Sequence, residues 1–230
     1  MSDAVTFAAF FYGTLLHPSI LRRVIGHDGD ELQICSALLL EHTRHQIKHA
    51  DYPAVIPYSK SRQLFDRDLS PEERTVRGTL VTGLSKSDVQ LLDVFEGDQY
   101  TRESVPVHPL GSFMSLHASI FDPSVAPLTA PPLPPLDSLS PAIPAQTYIW
   151  AQPLSDLSPS IWEYADFVRE NAWKWVGDGA RGNTDYIEVD RRRAMNGNTA
   201  RREVVDIEGQ DNKTEKTFIE VSKTPDSVEV

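Results

Sequence analysis

Cysteine is nearly missing from this chain. Cys35 is the only one among 230 residues. No intrachain disulfide and no cysteine-rich zinc site can form, and the usage fits a reducing compartment. Long apolar runs are absent too: none approaches the ~20 residues a membrane helix needs. The N-terminal M-S-D-A-V-T-F lacks the basic flank and apolar core of a signal peptide, so a cytoplasmic protein is expected. Positive charge is scarce, with 22 Lys and Arg against 33 Asp and Glu and a formal net charge of -11. That excess argues against nonspecific binding to nucleic acid or to anionic membranes. No G-x-S-x-G occurs, which removes the nucleophile-elbow hydrolases. No internal repeat is evident.

What remains is ordinary globular material, 40% hydrophobic and 24% charged, in a length sufficient for one large domain or two small ones. Val5 to Phe11 is a continuous apolar run and reads as a buried strand. Tyr12-Gly13-Thr14-Leu15 follows as a turn. Pro18 stands where a first helical turn begins, and Ile20, Leu21, Val24 and Ile25 give a short amphipathic helix ending near Gly26. A strand, glycine loop and helix in that order offer unpaired backbone N–H groups to an anion or a carbonyl oxygen. Leu32 to Leu40 reads as a second strand, and Glu41 to Ala50 as strand or helix. Asp51-Tyr52-Pro53 is a turn, Ala54 to Pro57 an extended piece, and Arg62 to Arg74 a loop. Thr75 to Thr82 alternates as a strand should. Glu103 to His108 and Ser112 to Phe121 read as two strands flanking a hairpin turn at Pro109-Leu110-Gly111.

Pro123 to Ala145 holds eight of the 17 prolines and reads as an extended surface insertion rather than a folded module or a polyproline ligand. Gln146 to Ala151 is expected as the last core strand. Ser160 to Val176 reads as a helix anchored by Trp162, Phe167, Trp173 and Val176. The expected organisation is one domain over residues 1–205, with the insertion at 123–145 and an added helix within 157–176. A flexible charged tail is expected at 206–230.

The central stretch Asp93 to Arg102, D-V-F-E-G-D-Q-Y-T-R, carries the clearest chemistry. Ser85 and Asp88 form a capping-box pattern, Leu84 and Val89 a hydrophobic staple, and Gly97 a stop. Glu96 then ends a helix, at the edge of its apolar face. The negative end of the helix dipole, the like charges of Asp93 and Asp98, and partial burial all raise a carboxylate pKa, while Arg102 pulls the other way. From its residues alone Glu96 is either a general base tuned toward neutrality or an ordinary solvated helix-end acid.

Other motifs lack the context their chemistry requires. Gly177 to Gly182 matches G-x-G-x-x-G but follows a helix, where a dinucleotide loop follows a strand. His42, His45 and His49 have helical spacing but cationic neighbours, Arg44 and Lys48, and read as surface histidines. Cys35 reads as a small buried hydrophobe. Arg191 to Arg193 with Arg201 and Arg202 read as a solvated face.

The two stretches Phe11-Tyr12-Gly13-Thr14-Leu15 and Asp93 to Arg102, in this order and about 80 residues apart, resemble the γ-glutamyl cyclotransferase-like superfamily. The Y-G-T-L form is closest to its AIG2-like and γ-glutamylamine cyclotransferase branch. The Tyr52-Pro53-Ala54 turn, the Val105-x-Val107 strand and Tyr148 agree with it. The resemblance covers roughly Thr6 to Ala151 without the insertion. It implies an α+β fold: a small mixed β-barrel with flanking helices, here extended by a C-terminal helix and a flexible tail. It implies release of 5-oxoproline and an amine from a γ-glutamyl compound, with Glu96 as general acid/base and the backbone at Tyr12, Gly13, Thr14 and Leu15 holding the glutamyl end. No metal or cofactor is implied, and the only partner is a small γ-glutamyl substrate. The alternative is a binding or regulatory protein that keeps the fold and pocket without the reaction.

Overall fold

The chain enters through strand β1 (Phe7–Phe11), passes a 3-10 turn at Thr14–Leu16 into helix α1 (Pro18–Ile25), and returns as β2 (Gln33–Leu40), β3 (His42–Ile47) and β4 (Pro53–Pro57). After one turn of helix, α2 (Tyr58–Ser61), come β5 (Thr75–Leu84), α3 (Lys86–Glu96), β6 (Tyr100–Pro109) and the two-residue β7 (Met114–Ser115). Then follow α4 (Leu116–Ser119), β8 (Ile143–Trp150), β9 (Leu157–Ile161) and α5 (Tyr164–Glu170). This is a computed structural model, which describes residues 5–119, 124–127 and 129–170 and the backbone of 201–207 and 215–221. In the last two stretches β10 (Arg201–Ile207) pairs antiparallel with β11 (Glu215–Val221), overlapping the tail expected from Asp206.

Strands β5, β1, β8, β6 and β2 lie side by side in that order, and β2 pairs back onto β5. The sheet therefore closes into a five-stranded barrel, which removes the free edges an open sheet would carry. The β1–β8 pair is parallel and the other barrel pairs are antiparallel, so the barrel is mixed. Alternate residues of each strand point inward. Phe10, Leu39, Leu80, Val107 and Ile149 meet there in one buried cluster. A second cluster packs the apolar faces of α1 (Ile20, Leu21, Val24) and α3 (Val89, Leu92, Phe95) with Phe11, Ile34 and Val81. β4, β3 and β9 form a smaller antiparallel sheet.

Helix α3 starts as its sequence dictates. The Ser85 side chain accepts the Asp88 N–H at 3.2 Å, and the Asp88 carboxylate accepts the Ser85 N–H at 2.8 Å. Leu84 and Val89 are both buried beside this cap. The helix stops at Gly97, whose φ of 69° suits glycine.

Several elements differ from the sequence reading. Residues 42–47, left open between strand and helix, form a strand. His45 is fully buried there instead of lying on the surface. Pro109-Leu110-Gly111 is not a hairpin turn. β6 is already flanked by β8 and β2, so the chain runs on along β2, where β7 pairs with Gln33 and Ile34. The expected strand at 112–121 shrinks to two residues because Leu116, fully buried, opens a helical turn with its N–H on the Leu32 carbonyl at 3.0 Å. β8 begins at Ile143, three residues earlier than expected, and a further strand follows it. The C-terminal helix starts at Tyr164 rather than Ser160 because β9 pairs with β3 and the Trp162 N–H reaches the Arg44 carbonyl at 2.9 Å. Residues 171–176, expected to continue the helix, the 177–182 glycine motif and the 191–193 arginines lie outside the described residues. Cys35 is buried as expected, and burial pushes its thiol up to about 11. Among the described residues no helix is long and apolar enough to cross a membrane.

Two predictions follow from this packing. A Cβ on Gly78 would stand 2.2 Å from the Phe11 carbonyl oxygen and 2.5 Å from the Phe10 ring. Backbone cannot yield as a flexible side chain does. Gly78→Ala is expected to cost about 3 kcal/mol, at the upper end for overpacking, as a lowered denaturation midpoint. Asp88 gives a pH dependence. Its burial opposes the charge, but the Ser85 N–H and His27 Nε2, 2.9 Å away, outweigh that and hold the carboxyl below its usual range. The ionised group therefore stabilises the fold above the ordinary aspartate value of about 3.9, and the contribution disappears as pH falls through the lower folded value. Urea unfolding across the acid range should show that loss, and Asp88→Asn should flatten it.

Candidate active site

Just past β1 the chain leaves the sheet. The Tyr12 ring turns into the barrel interior, where its hydroxyl donates to the Tyr148 carbonyl. The Tyr12 carbonyl accepts Nη1 of Arg44 at 3.0 Å. The residue is thus pinned through both side chain and backbone. Gly13 follows, with its carbonyl accepting the Leu16 N–H at 3.0 Å to close the 3-10 turn. It packs so closely on Pro53 that a Cβ would stand 3.0 Å from Cγ of that ring. Among the described residues the N–H groups of Gly13, Thr14 and Leu15 make no hydrogen bond. They are the uncommitted donors of a 3-10 turn's first residues.

Glu96, half-buried, is the last residue of α3. It lines one small cavity with Tyr12, Gly13, Thr14 and Leu15, so the structure brings all five sequence-predicted site residues together. The remaining wall is largely aromatic: Phe10, Phe11, Tyr52, Tyr100 and Tyr148, with Pro53. The cavity holds about 20 Å³, close to the space of a single water.

Those tyrosines are fixed from behind. Tyr52 donates to Oε1 of Gln99 at 3.0 Å, Tyr100 to the Pro53 carbonyl at 2.8 Å, and Tyr148 to Oδ1 of Asp93 at 2.9 Å. Burial first, then the charges of Glu96 and Asp93, raise the Tyr148 hydroxyl pKa above its ordinary value. Burial and Glu96 do the same to Tyr12. Both phenols therefore stay neutral, and both feel the Glu96 carboxylate.

Asp93 is not the bare like charge the sequence suggested. Arg102 grips it through Nε at 2.8 Å and Nη2 at 3.3 Å, and reaches Oε1 of Gln146 at 3.3 Å through Nη1. Asp98 is exposed. Of the wall residues, Tyr52, Pro53 and Tyr148 were visible only as features of the resemblance, and Tyr100 lay inside the Asp93–Arg102 stretch without a role. Their inward placement is tertiary, and no local pattern marks it.

One other arrangement resembles catalytic machinery. Nδ1 of His45 donates to the Ser158 carbonyl at 3.0 Å, which leaves Nε2 to accept the Ser61 hydroxyl at 2.7 Å. A serine poised on a histidine can act as a nucleophile. Both residues are fully buried and line none of the described cavities, so the pair ties α2 to β3. Among the described residues no group of three histidine, cysteine or acidic side chains is placed to hold a metal.

Residues 9–169 match the model of a family described as gamma-glutamyl cyclotransferase, AIG2-like. Two Arabidopsis thaliana proteins are similar over part of the chain. AIG2 C is 26% identical over 106 residues, covering 46% of this chain and 54% of the relative. AIG2-like protein D is 31% identical over 108 residues, covering 46% of this chain and 60% of the relative. The matched stretches thus span little more than half the length of these curated relatives. A crystal structure from yeast, of a γ-glutamyl cyclotransferase specific to glutathione, aligns over 82% of this chain and 87% of its own at 15% identity, with a TM-score of 0.41.

The Tyr12 anchor is open to a direct check. Tyr12→Phe leaves the Tyr148 carbonyl without this partner in a buried setting. The expected cost is about 1–3 kcal/mol in urea unfolding. Unchanged stability would show that the loop is held some other way.

Proposed function

The chain belongs to the gamma-glutamyl cyclotransferase, AIG2-like family, and we propose that it converts a γ-glutamyl amine or peptide into 5-oxoproline and a free amine. Membership carries the general chemistry. The finer reading rests on one observation: Glu96 shares a cavity with the unpaired N–H groups after β1.

The reaction asks little of the protein. The substrate's own α-amine attacks its γ-carbonyl carbon, so the nucleophile is tethered and effective molarity is high. A C–N bond forms to close the five-membered ring, and the amide C–N bond to the leaving amine breaks. The attacking nitrogen gives up two protons as the ammonium becomes the lactam N–H. Glu96 takes one and returns it to the departing nitrogen, and the other passes to water, from which the released amine is protonated. The N–H groups of Gly13, Thr14 and Leu15 face the charge that builds on the carbonyl oxygen or rests on the α-carboxylate. The tyrosine walls stay neutral and exclude water, which strengthens both contacts.

A glutamyl group is larger than a 20 Å³ space. Binding therefore requires the walls to part. The Tyr52–Pro53 turn is the segment whose displacement would widen the cavity, since it is held across from Gly13 by the Tyr52–Gln99 and Tyr100–Pro53 hydrogen bonds.

The test uses the full chain with γ-glutamyl amines, γ-glutamyl dipeptides and glutathione, and measures 5-oxoproline. Turnover of at least one class is expected. Glu96→Gln should lower it by about 10²–10⁴-fold with an unchanged unfolding midpoint. Full activity in that variant would remove Glu96 from the mechanism. Saturable binding of 5-oxoproline without turnover of any of these substrates would favour a binding protein.

A further inference from the structure

A second cavity, of about 410 Å³, lies between the β2–β5 pair and the Pro-rich excursion. It has no lining residue in common with the Glu96 cavity. Its volume falls in the range of small-molecule sites, and its wall has their character: mostly apolar, with a few polar groups converging on it.

Those polar groups are unusual in a chain of net charge -11. Among the described residues, Arg44 and Arg77 line the cavity against a single carboxylate, Glu163. The Arg44 guanidinium lies over the Trp162 ring at 4.9 Å. Its Nε donates to the Trp162 carbonyl at 3.1 Å, and Nη1 to the carbonyls of Tyr12 at 3.0 Å and Arg77 at 3.3 Å. All these partners are neutral. Among the described residues its Nη2 makes no hydrogen bond, and no ion pair joins Glu163 to either arginine. Arg77 uses Nη2 on the Pro131 carbonyl at 2.6 Å, and its remaining donors are uncommitted. Burial pulls Arg44 down to about 10, which leaves it charged at neutral pH. Among the described residues, two guanidiniums against one carboxylate leave the lining with an excess of positive charge.

We infer that this cavity is a second ligand site, taking a small amphipathic carboxylate whose head meets Arg44 and Arg77 and whose apolar body lies against Leu16, Met114 and Val125. A guanidinium presents a planar fork that matches a carboxylate. The apolar wall selects against small polar anions such as phosphate or acetate.

Octanoate, octanol and octylammonium serve as probes by calorimetry on the full chain. Octanoate is expected to bind at least tenfold more tightly than octanol, and octylammonium not to bind. Arg77→Gln, which is shorter but keeps a planar N–H donor while removing the charge, should weaken octanoate by about tenfold. Ala126→Phe, which fills the cavity from the excursion side, should abolish binding. Glu96→Gln should leave octanoate affinity unchanged, because the two cavities are separate. Equal affinity for octanoate and octanol would overturn the inference. So would octanoate binding that survives Ala126→Phe, or the absence of octanoate binding in the parent chain. None of these outcomes depends on whether the Glu96 site is catalytic.

Discussion

The barrel has one parallel seam, between β1 and β8, and the candidate site exists because that seam is short. A single residue pair, Ala9 with Gln146, sets its register. Beyond it the strands part, and side chains take over from the backbone ladder. Thr147 donates to the Phe10 carbonyl at 2.9 Å, and the Tyr12 hydroxyl bridges to the Tyr148 carbonyl. Where the strands separate, the N–H groups of Gly13 to Leu15 lose a strand partner, and a cavity opens between them and Tyr148. Crevices at such divergence points are where open α/β sheets bind ligands, and the same geometric cause operates in this closed sheet.

Electrostatics at that crevice follow from how the acids are distributed. Three carboxylates, Asp93, Glu96 and Asp98, sit within six residues of one helix end. Left together they would repel one another and oppose the helix dipole. Arg102 removes Asp93 from the problem, and Asp98 faces water. Glu96 alone is turned toward the cavity, among phenols that burial and its own charge keep neutral. The arrangement leaves one carboxylate at the cavity, with one neighbour ion-paired to Arg102 and the other in solvent.

What could be read from the sequence was local, and what could not was tertiary. The capping box at Ser85 and Asp88, the stop at Gly97 and the turn at Tyr12 to Leu15 each depend on a few contiguous residues, and each is seen. The pairing of the glycine loop with Glu96 was legible only through a resemblance spanning both stretches. His45 illustrates the opposite case. Its cationic neighbours Arg44 and Lys48 suggested a surface, but β3 is flanked by β4 and β9, and the ring finds partners in Ser61 and the Ser158 carbonyl. A polar side chain can be buried wherever its hydrogen bonds are met, and a single sequence does not reveal the partners. The misread hairpin after Pro109 has the same origin. Both neighbours of β6 were already assigned by distant parts of the chain.

The Pro-rich excursion shows how composition decides the manner of attachment even where it cannot decide position. Proline lacks an N–H, so a proline-dense segment brings carbonyl acceptors and few donors. Its attachments have that one-sided form. The Ser36 hydroxyl shares its proton between the Ser124 and Val125 carbonyls at 2.6 and 2.8 Å, Arg77 donates to the Pro131 carbonyl, and His108 to the Ser140 carbonyl at 2.8 Å. The barrel supplies every one of these donors. Among the described residues before Ile143, where the β6 ladder takes over, the segment is held at separated points by side chains of the sheet and is kept off its surface between them. The space left beneath it is the larger cavity, and the donors that reach up to hold the roof include the arginine that gives that cavity its charge.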